Sequence, residues 1–329
     1  MSVGKVTVMR LQHVVFLLGL NHCSFADDLD AIVARDISAV QRGELYERLT
    51  KVEFAPIAAK LARLKGHYPI LTGIGPQTRQ PWSESGLSEG DKIGCTLHQL
   101  WEHHLDAARQ RGDSVQIMLS VLDDPIFQPG VGAALPDFPL RGFDDRFDGR
   151  LSALSVIQSE LIVSRGKLPQ ALRERILKRL DQMVQDAAQP AALRERAIGM
   201  LSAHGDPNEY LELAIQLSSK ERTPVRQGGA FRLLTPGARR LTAENQKRWL
   251  HHAYSLLEKI DDGRSGEGYD LALTIGSVLG IRPVRDLQGA FAPDSSLSKY
   301  QGKNGLTHSF FQDTVNNARK WWSENQSRY

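Results

Sequence analysis

The strongest constraint on how this chain folds is an internal repetition between Leu193 and Leu234, LRERAIGMLSAHGDPNEYLELAIQLSSKERTPVRQGGAFRLL. The stretch reads as helix, turn, helix, turn, helix. Arg194, Ala197 and Leu201 of the first helix recur 32 residues later as Arg226, Gly229 and Leu233 of the third. A period of this size marks a solenoid, because one helix pair cannot bury its apolar face alone and does so by stacking on the next. The helix starts are chemically explicit: Asp206 is a cap, Pro207 suits a first turn, and Glu209 sits three residues past the cap. Thr223-Pro224 opens the third helix in the same way. Ala197, Gly199, Gly228 and Gly229 admit close helix–helix approach, although a helical glycine costs about 1 kcal/mol against alanine.

The order "arginine, small residue three later, leucine four after that", around the Gly205-Asp206-Pro207 turn, resembles HEAT repeats of the armadillo-like superfamily. The resemblance implies an all-α chain, a right-handed α-solenoid of helix pairs, and a role as a binding scaffold. Arg150, Ala153 and Ile157 echo the same three positions 44 residues before Arg194, so the clearest repeats span 150–280. Within them, Leu172, Ile176, Leu180 and Met183 form one face of an amphipathic helix. The segments 242–260 and 268–279 form a further pair. A terminal helix in 307–329, with Phe311, Val315, Ala318 and Trp322 on one face, is expected to cap the open end. An irregular helical bundle is the competing architecture.

The first half is helical over 28–65, with a break or kink expected at Pro56, and again over 93–110 and 114–122. Three irregular stretches, 66–94, 123–149 and 282–305, interrupt the pattern; segments of that length inside a domain are functional loops or unstructured. As insertions between helix pairs they are where a scaffold displays specificity. Their aromatic residues Trp82, Phe127 and Phe138 are the candidate binding residues, since aromatic anchors dominate interfaces. Local packing against their own helices is the alternative role.

Residues 1–26 carry the order of an export signal: basic Lys5 and Arg10, an apolar run from Val14 to Leu20, and Ser24-Phe25-Ala26 before Asp27-Asp28. Cleavage near Ala26 leaves one helical-repeat domain, 27–329, in a periplasmic or secreted protein. The apolar run is too short to span a bilayer. Cleavage leaves Cys95 as the sole cysteine and no intramolecular disulfide. The net charge of +3 includes the two basic residues of the signal, so a nearly neutral mature chain gives no reason to expect nucleic acid as a partner.

The densest group of ligand-type side chains is His98-Gln-Leu-Trp-Glu-His-His-Leu-Asp106. His98 and Glu102 are four apart, share a helix face and are the candidate metal pair of an enzyme. A structural helix with Leu97, Trp101 and Leu105 inward explains the same residues. Gly86-Leu-Ser88-Glu-Gly90 matches the nucleophile-elbow spacing, but without the strand and parallel sheet that give it meaning. Asp144-Asp-Arg-Phe-Asp148 spells an acidic diphosphate motif outside the helical setting it requires. The expectation is therefore a non-enzymatic scaffold that binds another protein and needs no cofactor. A metal-dependent or hydrolytic cell-envelope enzyme is the alternative.

Overall fold

The computed structural model describes residues 25–68, 80–128, 148–163, 168–260, 267–280, 301–302, 305–306 and 308–329. It is helical throughout except for a two-residue antiparallel ladder, Gln301–Gly302 with Gly305–Leu306. The helices are α1 (25–32), α2 (Ala39–Leu49), α3 (Phe54–His67), α4 (Glu89–Arg111), α5 (Ser114–Asp123), α6 (Arg150–Val163), α7 (Gln170–Gln185), α8 (Ala191–His204), α9 (Pro207–Ser218), α10 (Pro224–Leu234), α11 (Ala243–Lys259), α12 (Glu267–Val278) and α13 (His308–Asn325). The chain divides into two compact units, Met1–Leu168 and Pro169–Tyr329.

In the second unit each helix packs on the next, and α8 on α10, α9 on α11, α10 on α12 and α11 on α13. Packing between neighbours and next-but-one neighbours is compatible with a helical-repeat fold. The anticipated caps form: the Asp206 carboxylate accepts from Asn208 N at 2.9 Å, and Thr223 Oγ1 from Arg226 N at 3.3 Å. Small residues do bring helices together. A Cβ on Gly199 would lie 2.7 Å from the Leu233 carbonyl oxygen, and one on Gly228 would touch Ile260 and Leu271. The core joins Phe231, Trp249, Tyr254, Leu257 and Ile275 with Val315, Ala318 and Trp322 of α13. Trp322 stacks on Tyr254 at 4.1 Å.

The repeat equivalence is only partial. Ala197 is fully buried and Leu201 nearly so, but Leu233, the counterpart of Leu201, is 62 % exposed. Arg194 donates from Nε to the Val184 carbonyl at 3.1 Å, closing the end of α7. Arg226 is exposed. Similar residues at similar spacing thus occupy different environments.

The first unit is built from α1 to α6. The break between α2 and α3 falls at 50–53, and Pro56 sits in the first turn of α3, where a missing N–H costs nothing. Phe54, Ile57, Ala58, Leu61, Ala62 and Leu64 form the buried face of α3, which packs on α4, α5 and α6. Ser88 begins α4: its Oγ accepts from Asp91 N at 3.2 Å and donates to Asp91 Oδ2 at 2.6 Å. The serine of the elbow-like pattern is thus a helix cap. Gly112, at φ 79°, ends α4 in the left-handed conformation that glycine adopts without penalty.

Candidate functional site

Helix ends account for many of the chain's basic side chains. The last carbonyls of a helix lack intrahelical partners and carry the negative end of its dipole, so a guanidinium there satisfies both. Arg42, 1 % exposed, donates to the carbonyls of Ile32, the last residue of α1, and of Ala34 just beyond it, and pairs with Glu89 at 2.6 Å. Arg173 donates to the His204 carbonyl at 2.9 Å, and Arg240 to those of Ser202 and Gly205. Arg239 serves Ser277, and Arg319 serves Leu257 and Ile260. At the end of α2 the donors are histidines: His104 Nε2 lies 3.0 Å from the Leu49 carbonyl and His103 Nε2 3.2 Å from that of Thr50. His104 is buried against Phe54, and burial, with His103 beside it, pulls its pKa down to about 4. The neutral ring must therefore carry its proton on Nε2 to make that bond.

One cleft in the first unit gathers ionisable and aromatic side chains from three helices. Lys65 comes from the end of α3, Trp101, Glu102 and Leu105 from α4, and Ser152 and Val156 from α6, around a volume of about 340 Å³. What brings α6 to α3 is Gly149. A Cβ there would fall 2.0 Å from the Ala62 carbonyl oxygen, so no other residue permits this approach. Asp148 then orders the first turn of α6, accepting from Arg150 N at 2.9 Å and pairing with the Arg150 guanidinium at 2.6 Å.

Lys65 Nζ donates to Ser152 Oγ at 3.0 Å and lies 5.7 Å above the Trp101 ring. Burial lowers the Lys65 pKa, partly offset by the Glu102 carboxylate. His98, one turn before Glu102, is lowered by burial and by the Lys65 ammonium, against the pull of Glu102. Arg109 edges the cleft with its charge already engaged by Glu160 at 3.2 Å and Asp106 at 3.6 Å.

The structure does place His98 and Glu102 within electrostatic reach of each other on α4, but the third charged group facing them is the cation Lys65. Among the described residues no three His, Cys, Asp or Glu side chains converge in a metal-binding group. Trp82 is buried, its ring 4.9 Å from Tyr46 and its indole edge against Gly43. Phe127 is half-buried with the Arg150 guanidinium 5.2 Å above its ring. Phe138 lies outside the described residues. The three aromatic candidates are therefore not seen to form one surface.

Sequence reasoning missed Lys65 and Ser152, which are 87 residues apart. A faint signal existed for Lys65, which continues the Ile57–Leu61 stripe of α3 at the next four-residue step. A lysine in an apolar stripe is one whose amine must find a partner. Among the described residues no helix is long and apolar enough to cross a membrane. Comparison with protein-family models, with curated proteins and with solved structures finds no match to this chain, so the functional reading rests on the geometry above.

Proposed function

We propose that this protein is an exported, non-enzymatic helical-repeat scaffold that binds another protein, its helices forming a right-handed solenoid closed by α13. The observation that carries the reading is the serial packing of α7 to α13, each helix on its neighbour and, from α8 onward, on its next-but-one neighbour. Such arrays gain stability from local interfaces and present long faces to partners. A capping role for α13 is supported by Val315 and Ala318, both fully buried, and by Trp322 at 5 % exposure. The arginines spent on helix ends support a protein partner over nucleic acid, since a carbonyl-bound guanidinium has little left for phosphate.

Export near Ala26 is compatible with the first unit. Cleavage there removes the carbonyl that accepts from Lys60 Nζ at 2.7 Å but keeps the Lys60–Asp30 and Arg48–Asp28 pairs and the buried Leu29 and Ile32. The test has two parts. Intact-mass measurement on protein from its native host should give a chain beginning near Asp27; retention of Met1 or Met9 rejects export. The mature protein used as bait on envelope extracts should recover a saturable protein partner. Phe127→Ala should weaken that recovery with the melting curve unchanged. Substrate turnover or stoichiometric metal, lost in His98→Ala, would replace the scaffold with the envelope-enzyme reading.

A further inference from the structure

The Lys65 ammonium has three N–H donors. Among the described residues it makes one hydrogen bond, to Ser152 Oγ at 3.0 Å. Two donors therefore face a cleft in which the side chain is already half withdrawn from water. A desolvated cation with unspent donors is a standing demand for an acceptor, and charge-assisted bonds to an oxyanion are the strongest way to meet it. Glu102 is near enough to act on Lys65 through space, but no hydrogen bond joins them. Arg109 at the edge of the cleft has its charge partly offset by Glu160 and Asp106.

We propose that this cleft binds a carboxylate, its oxygen accepting from Lys65 Nζ beside Ser152. The inference rests on the binding-scaffold reading and names the chemistry that one of its surfaces recognises. A carboxylate fits better than a phosphate because Glu102 shares the cleft with Lys65, and Glu160 and Asp106 already offset the charge of Arg109 at its edge. A dianion meets that negative rim at higher cost than a monoanion. A volume of about 340 Å³ suits a small acid or one peptide terminus. The carboxylate belongs either to a free arylalkyl or acyl acid or to the end of a peptide chain.

The test uses the full chain and two probe pairs, titrated by calorimetry and ligand-observed NMR at about pH 6, below the ordinary range of a lysine. One pair is phenylbutyrate and its primary amide; the other is a short peptide ending in phenylalanine, with a free or an amidated terminus. Both acids should bind saturably, and each amide about tenfold or more weaker, the scale of one charge-assisted hydrogen bond. The tighter of the two acids identifies the source. Lys65→Met should bring the acids down to the level of the amides. Glu102→Gln, which removes the internal competing anion and keeps the shape, should tighten both acids. Equal binding of acid and amide, an unaffected Lys65→Met variant, or weaker acid binding by Glu102→Gln overturns the proposal, as does absence of saturation by either acid. If Lys65→Met does not fold, Glu102→Gln decides alone. A protein partner retained by Lys65→Met, with no acid bound by the wild type, sinks the site and leaves the scaffold; acid binding lost in Lys65→Met, with no protein partner found, does the reverse.

Discussion

The two units close their helix ends with different chemistry. In Pro169–Tyr329 the terminal carbonyls of α7, α8, α11 and α12 are taken by Arg194, Arg173, Arg240, Arg319 and Arg239. In Met1–Leu168, α1 is closed by Arg42 and α4 by a left-handed glycine, but the end of α2 depends on His103 and His104. Arginine remains charged at any pH a protein survives, whereas histidine titrates. The units also differ in connectivity. The second packs elements adjacent or next to adjacent in sequence, while α3 of the first meets α6, and its lysine meets a serine 87 residues away. The difference teaches that the second unit closes its helix ends with guanidinium ties that do not titrate, while the first closes one of its ends with histidines that do.

The largest effect expected is in the second unit's core. Trp249 is fully buried, stacks on Phe231 at 5.5 Å and donates from Nε1 to Thr235 Oγ1 at 2.8 Å. Trp249→Ala should cost about 3–5 kcal/mol in urea unfolding, from the cavity and the stranded hydroxyl. Loss of less than about 1 kcal/mol would break the comparison, since terminal ties and not a core would then hold that unit.

Next comes acid sensitivity of the first unit. His104 has its pKa depressed to about 4 in the fold, against 6.5 unperturbed. A depressed folded pKa means the stabilisation is complete above about pH 6.5 and is lost as pH falls through about 4. Its size is up to about 3 kcal/mol. Melting temperature followed across that window should fall steeply for the wild type. The fall should be shallower for His104→Asn, whose amide still donates to Leu49 without titrating. His98, His204 and His252 are lowered in the same direction, mainly by burial, so some slope persists in the variant. An unchanged slope in His104→Asn would remove the contrast between histidine and arginine closures.

The smallest effects separate the two repeat arginines. Arg194→Met strands the Val184 carbonyl and should cost roughly 1.5 kcal/mol, the low end for a bond to a charged group. Arg226→Met, at an exposed position, should stay within about 0.5 kcal/mol of the wild type. Equal losses, measured by chemical denaturation, would restore the equivalence that their spacing implies.

How much could be read beforehand follows the same division. The helices of the second unit were legible because caps such as Asp206 and Thr223, and faces such as Ile176–Leu180–Met183, act within a few residues of themselves. His98 and Glu102 were legible as a pair because a helix puts residues four apart on one face. Nothing local announced that Lys65, from another helix, would act on both of them. Nor did the Ser88 pattern reveal a helix cap, because its meaning depends on the backbone direction that follows it.

By itself the sequence determined the helical class, most helix starts and the apolar faces, all of which arise from interactions within one or two turns. Tertiary structure decided that Trp82 is packed against Gly43, that Leu233 is exposed where Leu201 is buried, and that Gly149 brings α6 against α3 to form the Lys65 cleft. Those outcomes depend on which distant backbone occupies the neighbouring space. A spacing rule carries no information about that, because it counts residues along the chain and not the distance between helices.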